Sequence, residues 1–81
     1  MKEYTVKVDE KGTKYWCLNG LLHRIGGPAV EYPDGEKHWC LNGLLHREDG
    51  PAIEFAGGAK AWYLNGLIYS EENYWKQLEN A

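Results

Sequence analysis

The residues of this chain that could do chemistry recur at a fixed spacing. A His-Arg pair stands at His23-Arg24 and again at His46-Arg47, and each histidine follows a cysteine by six residues, Cys17 and Cys40. A cysteine activated by a histidine is a nucleophile, and a histidine beside a carboxylate can act as a general base. A thiol- or histidine-based active site is therefore the first hypothesis to weigh against the fold.

The acidic partners that such chemistry needs are not present in every copy of the motif. The second His-Arg pair is followed by Glu48-Asp49, whereas the first is followed by Ile25-Gly26. A third copy of the motif has Tyr69-Ser70 where the others have His-Arg. Because a catalytic base needs its partner within hydrogen-bond reach, this pattern favours a structural repeat. We predict no catalytic residue and no cofactor, and two cysteines without histidines at ligand spacing predict no metal site.

The motif belongs to a repeat with a period of 23 residues. The stretch from Trp39 to Arg47 is identical to that from Trp16 to Arg24, and a degenerate copy begins at Trp62. Such a period is typical of arrays in which each unit buries its apolar face against the next. The predicted organisation is a single repeat domain over 1–81, with an edge strand at 1–11, repeats at 12–34, 35–57 and 58–70, and a capping helix at 71–80.

Each repeat carries a hairpin signal. Asn-Gly between alternating apolar residues is typical of a type I′ turn. The turn at Asn42-Gly43 predicts the cross-strand pairs Leu41–Leu44, Cys40–Leu45 and Trp39–His46. Because side chains alternate along a strand, Cys40 and His46 then lie on opposite faces and form no catalytic pair. We expect each histidine to stack on the tryptophan across its hairpin.

The cysteines are expected to be free thiols. Equivalent strands of successive hairpins lie two strand spacings apart, roughly 9.5 Å. A disulfide needs Cα atoms within about 7 Å.

The other segments predict short strands, turns and one helix. A short strand is expected at 27–32, with turns at 33–36 and 56–59. The N-terminal strand at 4–8 should end in a turn one residue longer than the later ones. Its free edge predicts a possible homodimer. Ser70 is a suitable N-cap for a helix over 71–79.

The repeat resembles the MORN family in its W-x-x-N-G-x-x-H pattern, its period and the following Asp-Gly turn. The resemblance covers roughly residues 12–70. The form W-x-x-N-G-x-x-H-R-x-D-G-P-A is similar to divergent repeats of bacteriophage and large DNA virus proteins, and the usual Tyr-x-Gly-x-Trp opening is absent. The resemblance implies a mainly β fold, an elongated antiparallel sheet of about three hairpin repeats with a C-terminal capping helix, and a scaffolding or binding role. It also implies a viral protein acting on a host protein, in an anti-defence role.

Charge and composition argue against several classes of partner. Nine Lys and Arg are scattered among 12 Asp and Glu, for a net charge of −3. Nucleic-acid binders usually carry a basic stripe, so neither nucleic acid nor an anionic membrane is expected as a partner. No run of about 18 apolar residues and no signal-peptide pattern are present. We expect a cytoplasmic protein, in the host cytoplasm if the viral resemblance holds.

We predict a non-enzymatic protein–protein interaction module. The alternative is a module that binds or sequesters a nucleotide-like ligand through arginine and aromatic side chains. Each arginine has two open interpretations, an anion contact or an internal bond to the Gly-Pro loop or to Glu31 and Glu54. The tryptophans are either the core or an exposed aromatic row, and His38 is expected to be exposed. The candidate partner-binding residues are His23, Arg24, His46, Arg47, Trp16 and Trp39.

Overall fold

Ten short strands and one helix make up the computed structural model, which describes residues 3–80. The strands are β1 (Thr5–Val8), β2 (Lys14–Leu18), β3 (Leu21–Leu22), β4 (Val30–Glu31), β5 (Lys37–His38), β6 (Cys40–Leu41), β7 (Leu44–Leu45), β8 (Ile53–Glu54), β9 (Lys60–Leu64) and β10 (Leu67–Tyr69). The helix α1 spans Glu71–Glu79. The mainly β prediction with one C-terminal helix is confirmed.

The three Asn-Gly hairpins form with the predicted registers. Cys40 pairs with Leu45 and Leu41 with Leu44, and the backbone N–H of His46 donates to the carbonyl of Trp39 at 2.9 Å. The turn asparagines lie in the left-handed region, where asparagine is tolerated better than most residues. Their φ values are 54° at Asn19, 52° at Asn42 and 52° at Asn65. The Asn-Gly signal therefore determines the three hairpins locally.

The first and third hairpins belong to a larger antiparallel sheet whose strand order is β1-β2-β4-β5-β8-β9-β10, with β3 paired to β2. The β6-β7 hairpin forms a separate two-stranded sheet. Trp39 stands between β5 and β6, where its N–H donates to the carbonyl of Ala52 at 2.7 Å. Trp16 donates in the same way to Ala29 at 2.8 Å. Each of these tryptophans therefore marks the junction of the large sheet with a hairpin.

The turns that connect one repeat to the next have equal lengths. The N–H of Gly12 donates to Asp9 at 3.0 Å, that of Gly35 to Tyr32 at 3.0 Å, and that of Gly58 to Phe55 at 2.9 Å. The expectation of a longer first turn was wrong, because Asp9 stands at the same repeat position as Tyr32. The predicted strand at 27–32 reduces to Val30–Glu31, since the Gly-Pro segment before it forms a loop.

The core is small and aliphatic. Its apolar residues among those described are Leu18, Ala29, Val30, Cys40, Ala52, Ile53 and Tyr74. The repeat tryptophans are only half-buried, so neither an all-tryptophan core nor a fully exposed aromatic row is found. Both cysteines are free, as predicted, with Cys40 buried and Cys17 half-buried. The molecule measures 38 × 34 × 17 Å, a flat globule in place of the expected elongated sheet.

The helix covers the last hairpin. The hydroxyl of Ser70 accepts a hydrogen bond from the N–H of Asn73 at 3.2 Å, which confirms the predicted N-cap. Tyr74 is fully buried, and its ring lies 5.0 Å from that of Trp62. Its hydroxyl donates to the carbonyl of Arg47 and accepts from the N–H of Gly50 at 3.3 Å. The helix therefore holds the second repeat as well as the third.

His38 is half-buried, and the expectation that it is exposed was wrong. Its Nε2 lies 2.7 Å from a carboxylate oxygen of Glu36, and its ring packs edge-on against Tyr32 with centroids 5.1 Å apart.

Candidate binding groove and the Trp-Arg-Gly clusters

Each His-Arg motif places its arginine on a tryptophan face. The guanidinium carbon of Arg24 lies 3.9 Å from the centroid of the Trp16 ring, and that of Arg47 lies 3.9 Å from the Trp39 ring. A guanidinium over an indole is attracted by the negative face of the ring. The expectation that histidine stacks on tryptophan was wrong, since in both repeats the arginine takes that face.

A glycine also lies against each guanidinium. A Cβ added to Gly27 would lie 3.0 Å from Cζ of Arg24, and one added to Gly50 would lie 2.9 Å from Cζ of Arg47. Neither position needs glycine for its φ angle, so the requirement is for space. We call these sets the first Trp-Arg-Gly cluster (Trp16, Arg24, Gly27) and the second Trp-Arg-Gly cluster (Trp39, Arg47, Gly50).

Hydrogen bonds hold each arginine in its cluster. Nη1 of Arg24 donates to the carbonyl of Pro28 at 3.1 Å, and Nη1 of Arg47 donates to that of Pro51 at 3.0 Å. Arg47 also pairs with Glu54 at 3.1 Å, whereas the contact of Arg24 with Glu31 is longer, 3.8 Å. The internal interpretation of both arginines is confirmed. The repeat motif is therefore a structural signature in which Trp, Arg, Gly, Pro and Glu meet at one place.

The histidines join each repeat to the next. Nδ1 of His23 accepts the backbone N–H of Asn42, and Nδ1 of His46 accepts that of Asn65, each at 2.9 Å. This bond turns the imidazole towards the following hairpin and away from the tryptophan. A neutral imidazole that accepts at Nδ1 carries its proton on Nε2. Each histidine therefore presents an Nε2–H donor on the side opposite the turn.

The two repeats differ in the acceptors that lie beside the histidine Nε2 and the arginine Nε. In the second repeat, Glu48 lies 2.7 Å from Nε2 of His46, and Asp49 accepts from Nε of Arg47 at 2.9 Å. The first repeat has Ile25-Gly26 at these positions. Nε2 of His23 is buried and has no hydrogen-bond partner within residues 3–80. The sequence difference thus becomes a difference in hydrogen bonding.

A groove of about 340 Å³ lies between the loops of the first two repeats. We call it the inter-repeat groove. One wall is formed by Arg24, Ile25 and the Gly-Pro loop, and the other includes Trp39 and Glu48. Leu41 adds apolar surface. Its lining therefore combines apolar side chains with charges of both signs.

Four of the six predicted site residues line this groove, namely Arg24, Trp39, His46 and Arg47. His23 and Trp16 do not line it: His23 packs against Tyr4, with ring centroids 6.3 Å apart, and Trp16 lies beneath Arg24. Sequence reasoning missed Ile25 as a lining residue. The available signal was an isoleucine at the position where the next repeat has a glutamate.

The surroundings of Cys40 differ from those of a reactive thiol. Burial raises the pKa of the Cys40 thiol, which disfavours the reactive thiolate. The pairing of Cys40 with Leu45 leaves it on the strand face opposite to His46. Residues 3–80 hold no group of three His, Cys, Asp or Glu side chains placed to bind a metal ion. Within the same range, no helix has the length and apolar character needed to cross a membrane.

Comparisons with known proteins add no family assignment. A scan against protein-family models, a search of curated proteins and a search of solved structures each gave no match. The resemblance to MORN repeats rests on the sequence motif alone.

Proposed function

We propose that this chain is a non-enzymatic module that binds a protein partner at the inter-repeat groove. The observation that carries the proposal is the lining of the groove, where an exposed Ile25 and half-buried Trp39 and Leu41 lie beside Arg24 and Glu48. Exposed apolar surface rimmed by charge is typical of protein-binding sites. A volume of about 340 Å³ suits a few side chains of a bound segment.

The state of the arginines supports a protein partner over a nucleotide-like ligand. One face of each indole in the two Trp-Arg-Gly clusters is covered by a guanidinium at 3.9 Å, so that face is closed to a base. Nη1 of each arginine is already bonded to a proline carbonyl. A ligand that needed both arginines and both tryptophans would have to dismantle two structural clusters. The apolar rim at Ile25 needs no such rearrangement.

The resemblance to viral repeats suggests which partners to try first. Within this proposal, a host protein, such as a component of antiviral defence, is bound and occluded by the groove face.

The experiment uses two isoleucines of nearly equal exposure. A displayed library of peptides is selected on the immobilised chain, and enriched peptides are titrated by calorimetry against the wild type, Ile25→Ser and Ile68→Ser. Ile25 is 67% exposed and Ile68 is 65% exposed, and only Ile25 lines the groove. Burying an isoleucine side chain contributes about 1.5–3 kcal/mol. We therefore expect binding at least about tenfold weaker to Ile25→Ser, with Ile68→Ser unchanged.

Two results would contradict the proposal. The first is equal binding of the enriched peptides to Ile25→Ser and to the wild type, which would place the binding surface elsewhere. The second is a failure to enrich any peptide combined with a thermal shift by a nucleotide panel, which would favour the ligand alternative.

A further inference from the structure

We propose that the first repeat is a receptor for carboxylates of an acidic peptide segment, held by Nε2–H of His23 and Nε–H of Arg24. This inference rests on the proposed function and names the chemistry of the partner. It concerns the two donors that the fold orients but does not use.

In the second repeat, carboxylates of the chain itself bind the histidine and arginine donors. Glu48 and Asp49 place carboxylate oxygens on His46 Nε2 and Arg47 Nε at 2.7 and 2.9 Å. These distances are those of charge-assisted hydrogen bonds, which are roughly twice as strong as neutral ones. Adjacent acidic residues in one chain segment therefore satisfy both donors at once.

The first repeat presents the same donors without the carboxylates. The arginine and histidine are held by the same contacts, a tryptophan face, a proline carbonyl and the N–H of the next Asn-Gly turn. Arg24 makes its hydrogen bond and its ion contact from Nη1, so within residues 3–80 its Nε has no acceptor. Nε2 of His23 is a buried polar atom without a partner in the same range. An unpaired buried donor is costly, so an acceptor that reaches it removes that cost and offsets part of its own desolvation.

The second repeat shows that a surface carboxylate can bond to a histidine that is largely buried. The side chain of His46 is only 9% exposed, yet Glu48, a surface residue, bonds to its Nε2. His23 is 6% exposed as a residue. Tyr4 packs on its ring, and the hydroxyl of Tyr4 accepts the N–H of Ile25 at 3.2 Å. Nε2 of His23 itself is covered, so an incoming carboxylate has to displace a covering side chain. We place its entry at Ile25, because Glu48 stands at that position in the second repeat.

Local charge favours a carboxylate at the first repeat. Arg47 has two carboxylates within 3.1 Å, from Asp49 and Glu54, whereas the contact of Arg24 with Glu31 is 3.8 Å. Arg24 is therefore the less neutralised of the two. The carboxylates of Glu48 and Asp49 on the other wall of the groove are already bonded within their own repeat.

The test is an NMR titration of the full chain with the peptide acetyl-Glu-Asp-Gly-amide. Side-chain 15N and 1H resonances of the two histidines and two arginines are followed. We expect shifts at His23 Nε2 and Arg24 Nε with a dissociation constant of about 1 mM, and no comparable shifts at His46 and Arg47. The neutral match acetyl-Gln-Asn-Gly-amide should shift none of the four. Inorganic phosphate is a separate arm, and tighter binding of phosphate than of the acidic peptide would overturn the carboxylate assignment.

Two variants convert one repeat into the other. Ile25→Glu supplies an internal carboxylate to His23, so its response to the peptide should be lost. Glu48→Ile with Asp49→Gly removes the built-in ligands, so His46 and Arg47 should begin to respond. The inference would be refuted if the peptide shifted neither His23 nor Arg24 of the wild type, or if it shifted the residues of both repeats equally.

The two proposals fail separately. Selected peptides that need Ile25 but contain no acidic residue would leave the groove as the binding surface and refute the carboxylate receptor. Peptide binding at His23 and Arg24 that survives Ile25→Ser, with no selected protein segment at the groove, would refute the groove proposal alone.

Discussion

Replacing Gly50 with alanine should destabilise the protein although the backbone there tolerates alanine. The added Cβ would lie 2.9 Å from Cζ of Arg47, a distance that real Cβ contacts essentially never show. The guanidinium is also held by the Trp39 ring, 3.9 Å from Cζ, and by the hydrogen bond of Nη1 to the carbonyl of Pro51, so moving it loses both contacts. The methyl group must therefore push the guanidinium out of the second Trp-Arg-Gly cluster.

The size of the effect follows from the contacts that Arg47 would lose. Its hydrogen bond to Pro51 at 3.0 Å has a charged donor and contributes about 1.5–3 kcal/mol. The contact with Trp39 contributes about 0.5–1 kcal/mol. Alanine in place of glycine restricts the unfolded chain and offsets about 0.4–1 kcal/mol. We expect a net loss of about 1–3 kcal/mol in the free energy of unfolding.

The assay is urea unfolding followed by tryptophan fluorescence, with the midpoints compared at constant slope. Gly57→Ala is the matched control, because an added Cβ meets no heavy atom within 4 Å there. It should be neutral or stabilising. The Gly50→Ala penalty should vanish in an Arg47→Ala background, since the two groups act on each other. A penalty that persists in that background, or no penalty at all, would refute the cluster as described.

Three further predictions concern the helix, the thiols and the free edge of β1. Tyr74→Phe removes the hydroxyl partner of the buried N–H of Gly50 and of the part-buried carbonyl of Arg47. It should lower the free energy of unfolding in urea by about 1–3 kcal/mol, with Tyr69→Phe as the control, and equal midpoints would contradict this. Because burial raises the pKa of the Cys40 thiol, its alkylation should be slower than that of half-buried Cys17 and should accelerate only at higher pH. Mass spectrometry measures both rates. Equal rates would show that Cys40 is accessible. We propose a homodimer through the outer edge of β1. Val6→Lys should then lower the dimer fraction measured by sedimentation. A wild-type protein that stays monomeric as its concentration rises would rule out the dimer.

The sequence predicted the parts of the fold that are determined locally. Asn-Gly sets a turn of known geometry, and the register of each hairpin follows from it by counting. Ser70 and the two acids after it determine the start of the helix in the same way. These features need no knowledge of the neighbouring repeat.

The predictions that were wrong or incomplete concern contacts between repeats, or two side chains of one repeat that compete for the same contact. The pairing of Trp39 with His46 was correct for the backbone, but the imidazole bonds to Asn65 of the next hairpin and leaves the indole to Arg47. The groove lies between two loops, so no single repeat contains it. Ile25 became a candidate only when the structure placed it at the groove rim.

Each histidine joins its repeat to the next through Nδ1 and presents Nε2–H on its other side. Long-range 1H–15N NMR of the imidazole rings at alkaline pH measures this directly, because the two nitrogens of a neutral ring differ in shift according to which carries the proton. We predict the Nε2–H form for both His23 and His46. An Nδ1–H form, or a mixture of forms at either residue, would contradict both the inter-repeat bond and the carboxylate receptor built on it.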